Sequence, residues 1–434
     1  MCGIAGFWKN NLVIDFEKTS NLMAKCLEHR GPDNKGVWFD KNIGLALIHR
    51  RLSVIDTSSF ADQPMVSDCG NYYLIFNGEI YNYKEIRKNL IADGFKISWK
   101  STSDSEVLLY ALKFYGIKKT LRMLKGMFAF SFYNKKCNLM QLARDRMGEK
   151  PLYYGKIGKS FVFSSELKAI KSFPGFDKAI DLNALNLYFR YHYVPHPSSI
   201  FKGISKLPQG CFVTIKGNGE KVSHPCQYWS YEEERNKLVD YIDSSDKVVL
   251  DKFKNIMLGS VESMMISDVP IGAFLSGGID SSLVVSMMQS LSNRPIETFN
   301  IGFNVKEFDE SIQARKISKY LGTNHNELVL TSKDALNIAP IVSSIWDEPF
   351  SDPSQIPTYI LNKFAKKNVT VCLTGDGGDE LFYGYSRYLL FRKFTKIQSL
   401  MPSSLAPLMN NIKNILFTND SYLYSKGLKR KIMH

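Results

Sequence analysis

The chain reads as two units of different class, an α+β unit followed by an α/β unit with a doubly wound parallel sheet. Three observations predict this. Short aromatic and alternating segments dominate the first half, with helical spacings set between them. A stretch poor in apolar residues, 231–247, carries Glu-Glu-Glu and Asp-Ser-Ser-Asp and reads as a linker. Beyond it, strand-like and helix-like segments alternate in a βα rhythm.

In the first unit, expected at 2–230, antiparallel strands are predicted at 43–48, 72–77, 126–133, 138–143 and 160–164, because period-two runs there are bounded by Gly, Asn and Asp. Helices are predicted at 16–29, 84–93 and 105–115, where apolar residues recur at three and four. Short strands at 211–215 and 227–229 close the unit. In the second unit, expected at 248–434, the order is helix 248–265, strand 271–275, helix 281–291, strand 297–302, helix 310–321, strand 327–330, further helices and strand 369–373. Parallel sheets bind ligands outside the carboxyl ends of their strands, so the loops after Leu275, Ile301 and Leu373 are where chemistry is expected.

The 434 residues exceed what one hydrophobic core usually organises. With 44% hydrophobic and 23% charged residues, the composition excludes disordered and collagen-like chains. No apolar run reaches membrane-spanning length and the start lacks the features of a signal peptide, so a cytoplasmic protein with no membrane partner is expected. The seven cysteines include no Cys-x-x-Cys pair and are expected to be reduced thiols. Net charge is +14, but from Tyr385 onward nine Lys and Arg face one Asp, so the excess is concentrated in the tail and reads as a solvated face. No basic-aromatic motif points to nucleic acid.

Cys2 directly follows Met1. Removal of Met1 would leave thiol and α-amine on one residue, and the amine, titrating near ~8, can serve the thiol as general base. The motifs that accompany it are Met-Cys-Gly-Ile-Ala-Gly at 1–6, His-Arg-Gly-Pro-Asp at 29–33, Arg-Leu-Ser-Val-Ile-Asp at 51–56, Asn-Gly-Glu-Ile-Tyr-Asn at 77–82 and Ser-Asp-Ser-Glu at 103–106. Further stretches stand at 126–130, 144–154 and 164–169. The series resembles the class II glutamine amidotransferases, in particular the glutaminase half of the glutamine-hydrolysing asparagine synthetases. That resemblance implies an N-terminal nucleophile fold, an αββα sandwich.

Hydrolysis of a carboxamide through a thioester needs oxyanion donors, and the Asn77 side chain with the Gly78 N–H can supply two. Taken alone, Asn77-Gly78 reads as a hairpin turn. Arg51 suits the carboxylate of glutamine, while Glu79 and Asp104 suit its ammonium, as the resemblance also implies. Arg30 and Asp33 read as structural or tunnel-lining residues.

In the second unit, Phe274-Leu275-Ser276-Gly277-Gly278-Ile279-Asp280-Ser281-Ser282 follows a strand and opens a helix. Its glycines let N–H groups approach an anion at a helix N-terminus, which suits a pyrophosphate. The string is similar to the PP-loop of ATP pyrophosphatases, with Asp280 as magnesium ligand. Gly158-Lys159-Ser160 is not the end of a Walker loop, since the first glycine is replaced by Tyr153, and it reads as a surface hairpin. Thr374-Gly375-Asp376-Gly377-Gly378-Asp379-Glu380 forms a second Gly-rich acidic loop.

By the same resemblance Asp379 joins Asp280 at Mg²⁺, Thr374 and Gly375 touch ATP, Phe274 and Ile301 flank adenine, and Asp376 supports adenylation or ammonia deprotonation. The segments 308–311 and 346–354 are expected to shape the acceptor pocket. The reaction implied converts glutamine, aspartate and ATP to asparagine, glutamate, AMP and pyrophosphate, with ammonia crossing internally past residues such as Met127. A homodimer is compatible with it. Two alternatives stand beside it: another carboxylate acceptor, or a shortened homologue acting as a bare glutaminase or regulatory subunit. The second is motivated by the end at His434 and by the lack of a Glu-x-Arg-x-Pro-Phe-Leu-Asp segment and a downstream lysine.

Overall fold

The computed structural model describes residues 1–9, 14–236, 245–304 and 309–399. Residues 237–244 of the expected linker, Phe308 and residues 400–434, which carry much of the basic tail, lie outside the described residues.

The first unit contains strands β1 (Gly3–Trp8), β2 (Asn34–Asp40), β3 (Leu45–Arg51), β4 (Met65–Val66), β5 (Tyr72–Ile80), β6 (Gly126–Asn134), β7 (Leu139–Arg144), β8 (Tyr153–Ile157), β9 (Ser160–Ser164), β10 (Ile204–Lys206), β11 (Cys211–Lys216), β12 (Lys221–Val222) and β13 (Cys226–Gln227). They form two sheets, in the orders β10-β8-β9-β1-β3-β2 and β12-β11-β7-β6-β5-β4, with β13 beside β11. Every pairing is antiparallel.

Between the sheets lies a core of Ile4, Trp8, Leu45, Leu47, Ile75, Tyr133, Met140, Phe161 and Phe163. Helix Phe16–Cys26 covers the outer face of the first sheet through Met23 and Ala24 against Ala5, Phe7 and Ile48. Helices Tyr83–Ala92 and Asp104–Met123 cover the second through Ile86, Leu90, Leu108 and Leu112 against Leu74, Phe76 and Phe130. Helix on sheet, sheet on sheet and sheet on helix give the four-layer αββα sandwich.

Strands β1, β2 and β8 were not expected from the sequence. Strand β1 carries Gly3 and Gly6 in six residues, which suppresses its strand propensity, yet it is central and wholly buried. A side-chain carbon at Gly6 would stand 2.5 Å from the Phe163 ring, and one at Gly3 would stand 2.9 Å from Leu27. Close packing therefore selects glycine here, against local preference. Helix 104–123 outruns its expected end because the chain turns at Gly116, with φ 72°, and resumes. Asn77 and Gly78 lie inside β5 and form no hairpin turn, whereas Gly158 and Lys159 do close the β8–β9 hairpin.

The second unit holds one parallel sheet, ordered β16 (Asn324–Leu330), β15 (Glu297–Phe303), β14 (Ile271–Phe274) and β17 (Val371–Leu373). All its pairs are parallel, with helices Ile279–Leu291, Ser311–Leu321 and Gln355–Ala365 as connections. The chain moves outward from β14 to β16 and then returns to the far side of β14 as β17. The strand order thus reverses between β14 and β17, and the crevice at such a switch point is the natural ligand site.

The two units are fastened by Asp268, which donates its N–H to Val54 O at 2.9 Å and accepts the Asp56 N–H at 2.7 Å. Across the contact, Glu348 meets Lys206 Nζ at 2.5 Å and accepts the Ile200 N–H at 2.9 Å and the Tyr153 hydroxyl at 3.2 Å. Asp347 accepts the Lys168 N–H at 3.0 Å. No helix among the described residues is long and apolar enough to cross a membrane.

Phe163 is fully buried and packs against the glycine of the central strand. Phe163→Ala should cost about 3–5 kcal/mol, read as an earlier first transition in denaturant unfolding; an unchanged first transition would count against β1 and β9 forming the centre of the sandwich.

Candidate active site

The pairing of β1 with β3 places Gly3 opposite Arg50, so Cys2 emerges beside Leu52 at the strand end. Its Sγ accepts the Leu52 N–H at 3.4 Å, and its carbonyl accepts from Arg30 Nε at 2.9 Å. Cys2, Arg51, Asn77, Gly78, Glu79 and Asp104 all line one cavity of about 400 Å³. Six residues scattered over a hundred positions thus converge.

Asn77 is buried, and its side-chain Nδ2 has no hydrogen-bond partner. A buried amide donor without an acceptor is costly unless a ligand completes it. On the same strand, the Phe76 N–H bonds Gln63 and the Ile80 N–H bonds Asp104 Oδ2, both on the edge away from β6. Strand alternation turns the Gly78 N–H to that same edge. Two donors, one from a side chain and one from the backbone, therefore stand in one cavity with the thiol.

Arg51 is less free than the sequence suggests. Its guanidinium donates to Ser58 O at 2.7 Å, to Asp62 at 2.8 Å and to Asp56 O. Burial, followed by the charge of nearby Asp104, raises the Glu79 pKa to about 7. Burial also raises Asp104 to about 6, although the Ile80 N–H opposes this. Two neighbouring carboxylates that resist charging together form a site that gains from an incoming ammonium group.

Burial raises the Cys2 thiol pKa. At Met1, burial, together with the charges of Arg30 and Lys150, lowers the α-amine pKa to about 5. Arg30 does not line this cavity, and Asp33 accepts the Ser53 N–H at 2.8 Å. Lys150 was missed by the sequence reading. It lines the cavity, with Nζ 3.3 Å from Met1 Sδ, and its position just before Pro151 inside the motif 144–154 was the available signal.

In the second unit, Phe274, Ser276 and Ile301 line a cavity of about 620 Å³ with Phe299, Phe303, Pro353, Pro357 and Leu361. Its wall is apolar and aromatic, suited to a flat heterocycle. Beside it, Gly277 adopts φ 88°, the Gly278 N–H bonds Ser276 Oγ at 3.2 Å, and Ser281 Oγ lies 3.0 Å from Ser276 Oγ. The two Gly-rich loops press together: a carbon at Gly375 would stand 2.7 Å from Ser281 N, and one at Gly378 would stand 2.5 Å from the Asp280 carboxylate.

Asp280, Thr374, Gly375 and Asp376 line a third cavity of about 440 Å³, while Gly277, Gly278, Ser281 and Asp379 line none of the three. Thr374 Oγ1 donates to Asp376 at 3.0 Å. Among the described residues no three His, Cys, Asp or Glu side chains converge as a metal cluster, and Asp379 folds back against Gly384. Magnesium bound with a nucleotide commonly takes only one or two protein carboxylates, and of the two expected ligands Asp280 lines the third cavity while Asp379 lines none of the three.

The third cavity reaches across to the first unit. Glu79, Met127, Val371 and Cys372 line both it and the Cys2 cavity. Of the two segments expected to shape the acceptor pocket, Glu310, Pro353 and Ser354 line the aromatic cavity, while Asp347 and Glu348 face the first unit.

The glutamine amidotransferase domain family matches residues 1–229, and the asparagine synthase family matches 252–430. A putative glutamine-hydrolyzing asparagine synthetase 2 of Methanocaldococcus jannaschii is 34% identical over 98% of this chain and 85% of its own. The chain belongs to the glutamine-hydrolyzing asparagine synthetase family. Asparagine synthetase 1 of Bacillus subtilis is 35% identical over 96% of this chain, which spans 64% of that relative's length. Among solved structures, the Bacillus subtilis glutamine phosphoribosylpyrophosphate amidotransferase covers 75% of this chain and 65% of its own, at 18% identity and TM-score 0.38.

Glu79 and Asp104 hold protons in the folded chain that they release when it unfolds between about pH 4 and 7, so stability falls as pH rises through that window. Glu79→Gln should accordingly raise Tm at pH 8 and leave it near wild type at pH 5; equal shifts at both pH values would contradict the raised pKa.

Proposed function

We propose that the chain is a glutamine-dependent asparagine synthetase, with a glutaminase unit at 2–230, a linker at 231–247 and a PP-loop unit at 248–434. The observation that carries the reading is the wall of Glu79, Met127, Val371 and Cys372, which bounds the Cys2 cavity on one side and the Asp376 cavity on the other. A nucleophile cavity abutting a nucleotide-type cavity is what two half-reactions sharing ammonia require.

In the first half-reaction, Met1 is removed and the new α-amine of Cys2 takes the thiol proton. The positive charges of Arg30 and Lys150, which contribute to lowering the Met1 amine pKa, disfavour a protonated amine at this end of the chain. The thiolate attacks the glutamine carboxamide, and the tetrahedral oxyanion takes the two hydrogen bonds of Asn77 Nδ2 and the Gly78 N–H. Expulsion of ammonia, which takes the proton back from the α-ammonium, leaves a thioester, and water cleaves it to glutamate and the free thiol. Asp104 and Glu79 hold the substrate ammonium, and Arg51 turns from Asp62 to its carboxylate.

In the second half-reaction, adenine lies between Phe274 and Ile301, and the phosphates meet the turn Ser276-Gly277-Gly278-Ser281 at the helix N-terminus. The aspartate β-carboxylate attacks the α-phosphorus of ATP, and pyrophosphate leaves. Bound magnesium supplies neutralisation of phosphate charge, with Asp280 and Asp379 to hold it. Thr374 and Gly375 touch the nucleotide, and Asp376 accepts a proton as ammonia attacks the β-aspartyl-AMP, giving asparagine and AMP. Neutral ammonia crosses past Met127, Val371 and Cys372, a route whose apolar groups disfavour ammonium.

The decisive assay incubates the chain with glutamine, ATP, magnesium and aspartate, against a control without aspartate. Asparagine in step with AMP is expected; glutamate without AMP in both tubes would refute the synthetase half. Cys2→Ala should abolish glutamine use and retain synthesis from ammonium salt, whereas Asp280→Asn should lower AMP formation on the order of a hundredfold or more and retain glutamine hydrolysis.

A further inference from the structure

One chain of side chains crosses the contact between the units and ends on the nucleophile. At its far end, Asp347 Oδ2 accepts the Lys168 N–H at 3.0 Å, and its Oδ1 lies 3.6 Å from Lys168 Nζ. Lys168 Nζ meets Glu166 Oε2 at 2.9 Å and the Ser344 and Ile345 carbonyls at 3.4 Å each. Glu166 Oε1 meets Arg30 Nη1 at 2.7 Å, and Arg30 Nε donates to the Cys2 carbonyl at 2.9 Å. Side-chain exposure is 22% or less at all four residues, so these pairs are screened far less than surface ones.

Each link is also fixed from the side. Ser165, next to Glu166, donates its N–H to Ile4 O at 2.8 Å and accepts the Ile4 N–H at 3.0 Å, tying this segment to the strand that carries Cys2. Glu348, next to Asp347, is held by Lys206, Ile200 and Tyr153, and the Ser351 N–H donates to His192 O at 2.8 Å. The same loop then reaches the aromatic cavity at Pro353 and Ser354. Burial would raise the Glu166 pKa, yet hydrogen bonds from His29 and the charge of Arg30 outweigh it and hold the carboxyl at about 2, so this link stays charged throughout the neutral range.

We infer that Lys168 and Asp347 are positioning residues for glutamine hydrolysis, holding the Cys2 backbone through Glu166 and Arg30, so that docking of the second unit's 346–354 loop orients the nucleophile. The inference rests on the glutaminase reading above. Neither residue lines the Cys2 cavity, so they act on the orientation of the thiol and not on glutamine itself. The Arg30–Glu166 pair alone restrains Arg30 in one direction; Lys168, fixed by Asp347 and two carbonyls of the other unit, sets where Glu166 stands. A small displacement of a nucleophile is enough to slow an attack by about a hundredfold, whereas substrate contacts made by Arg51, Glu79 and Asp104 are left intact.

The test uses the full chain and compares wild type with Lys168→Met, Asp347→Asn, Lys168→Arg and the double variant Lys168→Met/Asp347→Asn. Glutamine hydrolysis is read as kcat and KM separately, and AMP formation from ammonium chloride, ATP, magnesium and aspartate serves as the second readout. The expected result is a fall in kcat of about tenfold to a hundredfold in the two single variants, with KM and ammonium-dependent AMP formation unchanged. Lys168→Arg should restore most of kcat, and the double variant should lose no more than either single one, because both changes break one connection. Unaltered kcat in the single variants overturns the inference, as does a joint loss of hydrolysis and ammonium-dependent AMP formation, which would mark the contact as general scaffolding. A wild-type chain that processes Met1 but hydrolyses no glutamine would instead overturn the glutaminase reading and the inference with it.

Discussion

The chemistry proposed for this molecule depends on a rigid contact between two units of unrelated architecture. Ammonia is small, neutral and easily protonated, so the cavities that make and use it must share a wall, and that wall must not open to water. Glu79 and Met127 come from strands of the sandwich, while Val371 and Cys372 come from an edge strand of the parallel sheet. Their register is set by polar anchors that are largely withdrawn from solvent. Breaking one partner of such a pair leaves a buried charge, at a cost of about 3–5 kcal/mol. Glu348 with Lys206, and Asp347 with Lys168, are therefore better understood as devices that define one docking geometry than as net sources of stability.

The sandwich explains how a cysteine at the second position becomes part of a site. Its central strand is packed so tightly against Phe163 and Leu27 that only glycine fits at two positions, and this closeness brings the chain terminus to the end of β5. There the buried amide of Asn77 waits without an acceptor, and the carboxyl groups of Glu79 and Asp104 are raised in pKa by burial. Each of these is unfavourable by itself, and in the proposed reaction each would be relieved by a different part of glutamine: an oxyanion for the amide and an ammonium for the carboxylates. Strain of this kind, concentrated in one cavity, is how a fold prepares a binding site.

Much of this was legible in the residues. The two fold classes followed from the rhythm of the segments, and the convergence of Cys2, Arg51, Asn77, Gly78, Glu79 and Asp104 on one cavity followed from motif order. The PP-loop was readable for the same reason, since two glycines and two serines at a strand-to-helix turn are a local device. In segment 346–354 the sequence left open which side chains face a cavity, because a charged loop looks alike whether its carboxylates face a ligand or a neighbouring unit. The signal for Lys150, its place before Pro151 in the motif 144–154, was weak, since only the folded chain shows that it lines the Cys2 cavity.

Sequence by itself determined the chemical alphabet of this protein, the residue types that could serve as nucleophile, oxyanion donor, phosphate cradle and carboxylate, and the order of strands and helices in the second unit. These depend on residue type and short spacing, and they survive without knowledge of packing. Only the tertiary structure decided that β1 is central despite its glycines, that Arg51 is already engaged with Asp62, and that Asp347 and Glu348 lock the two units together. It also decided that the two reaction cavities share four residues. Such facts arise from contacts between segments that are not neighbours in the chain, where burial and close approach override local preference and where no pattern in the chain records the partner.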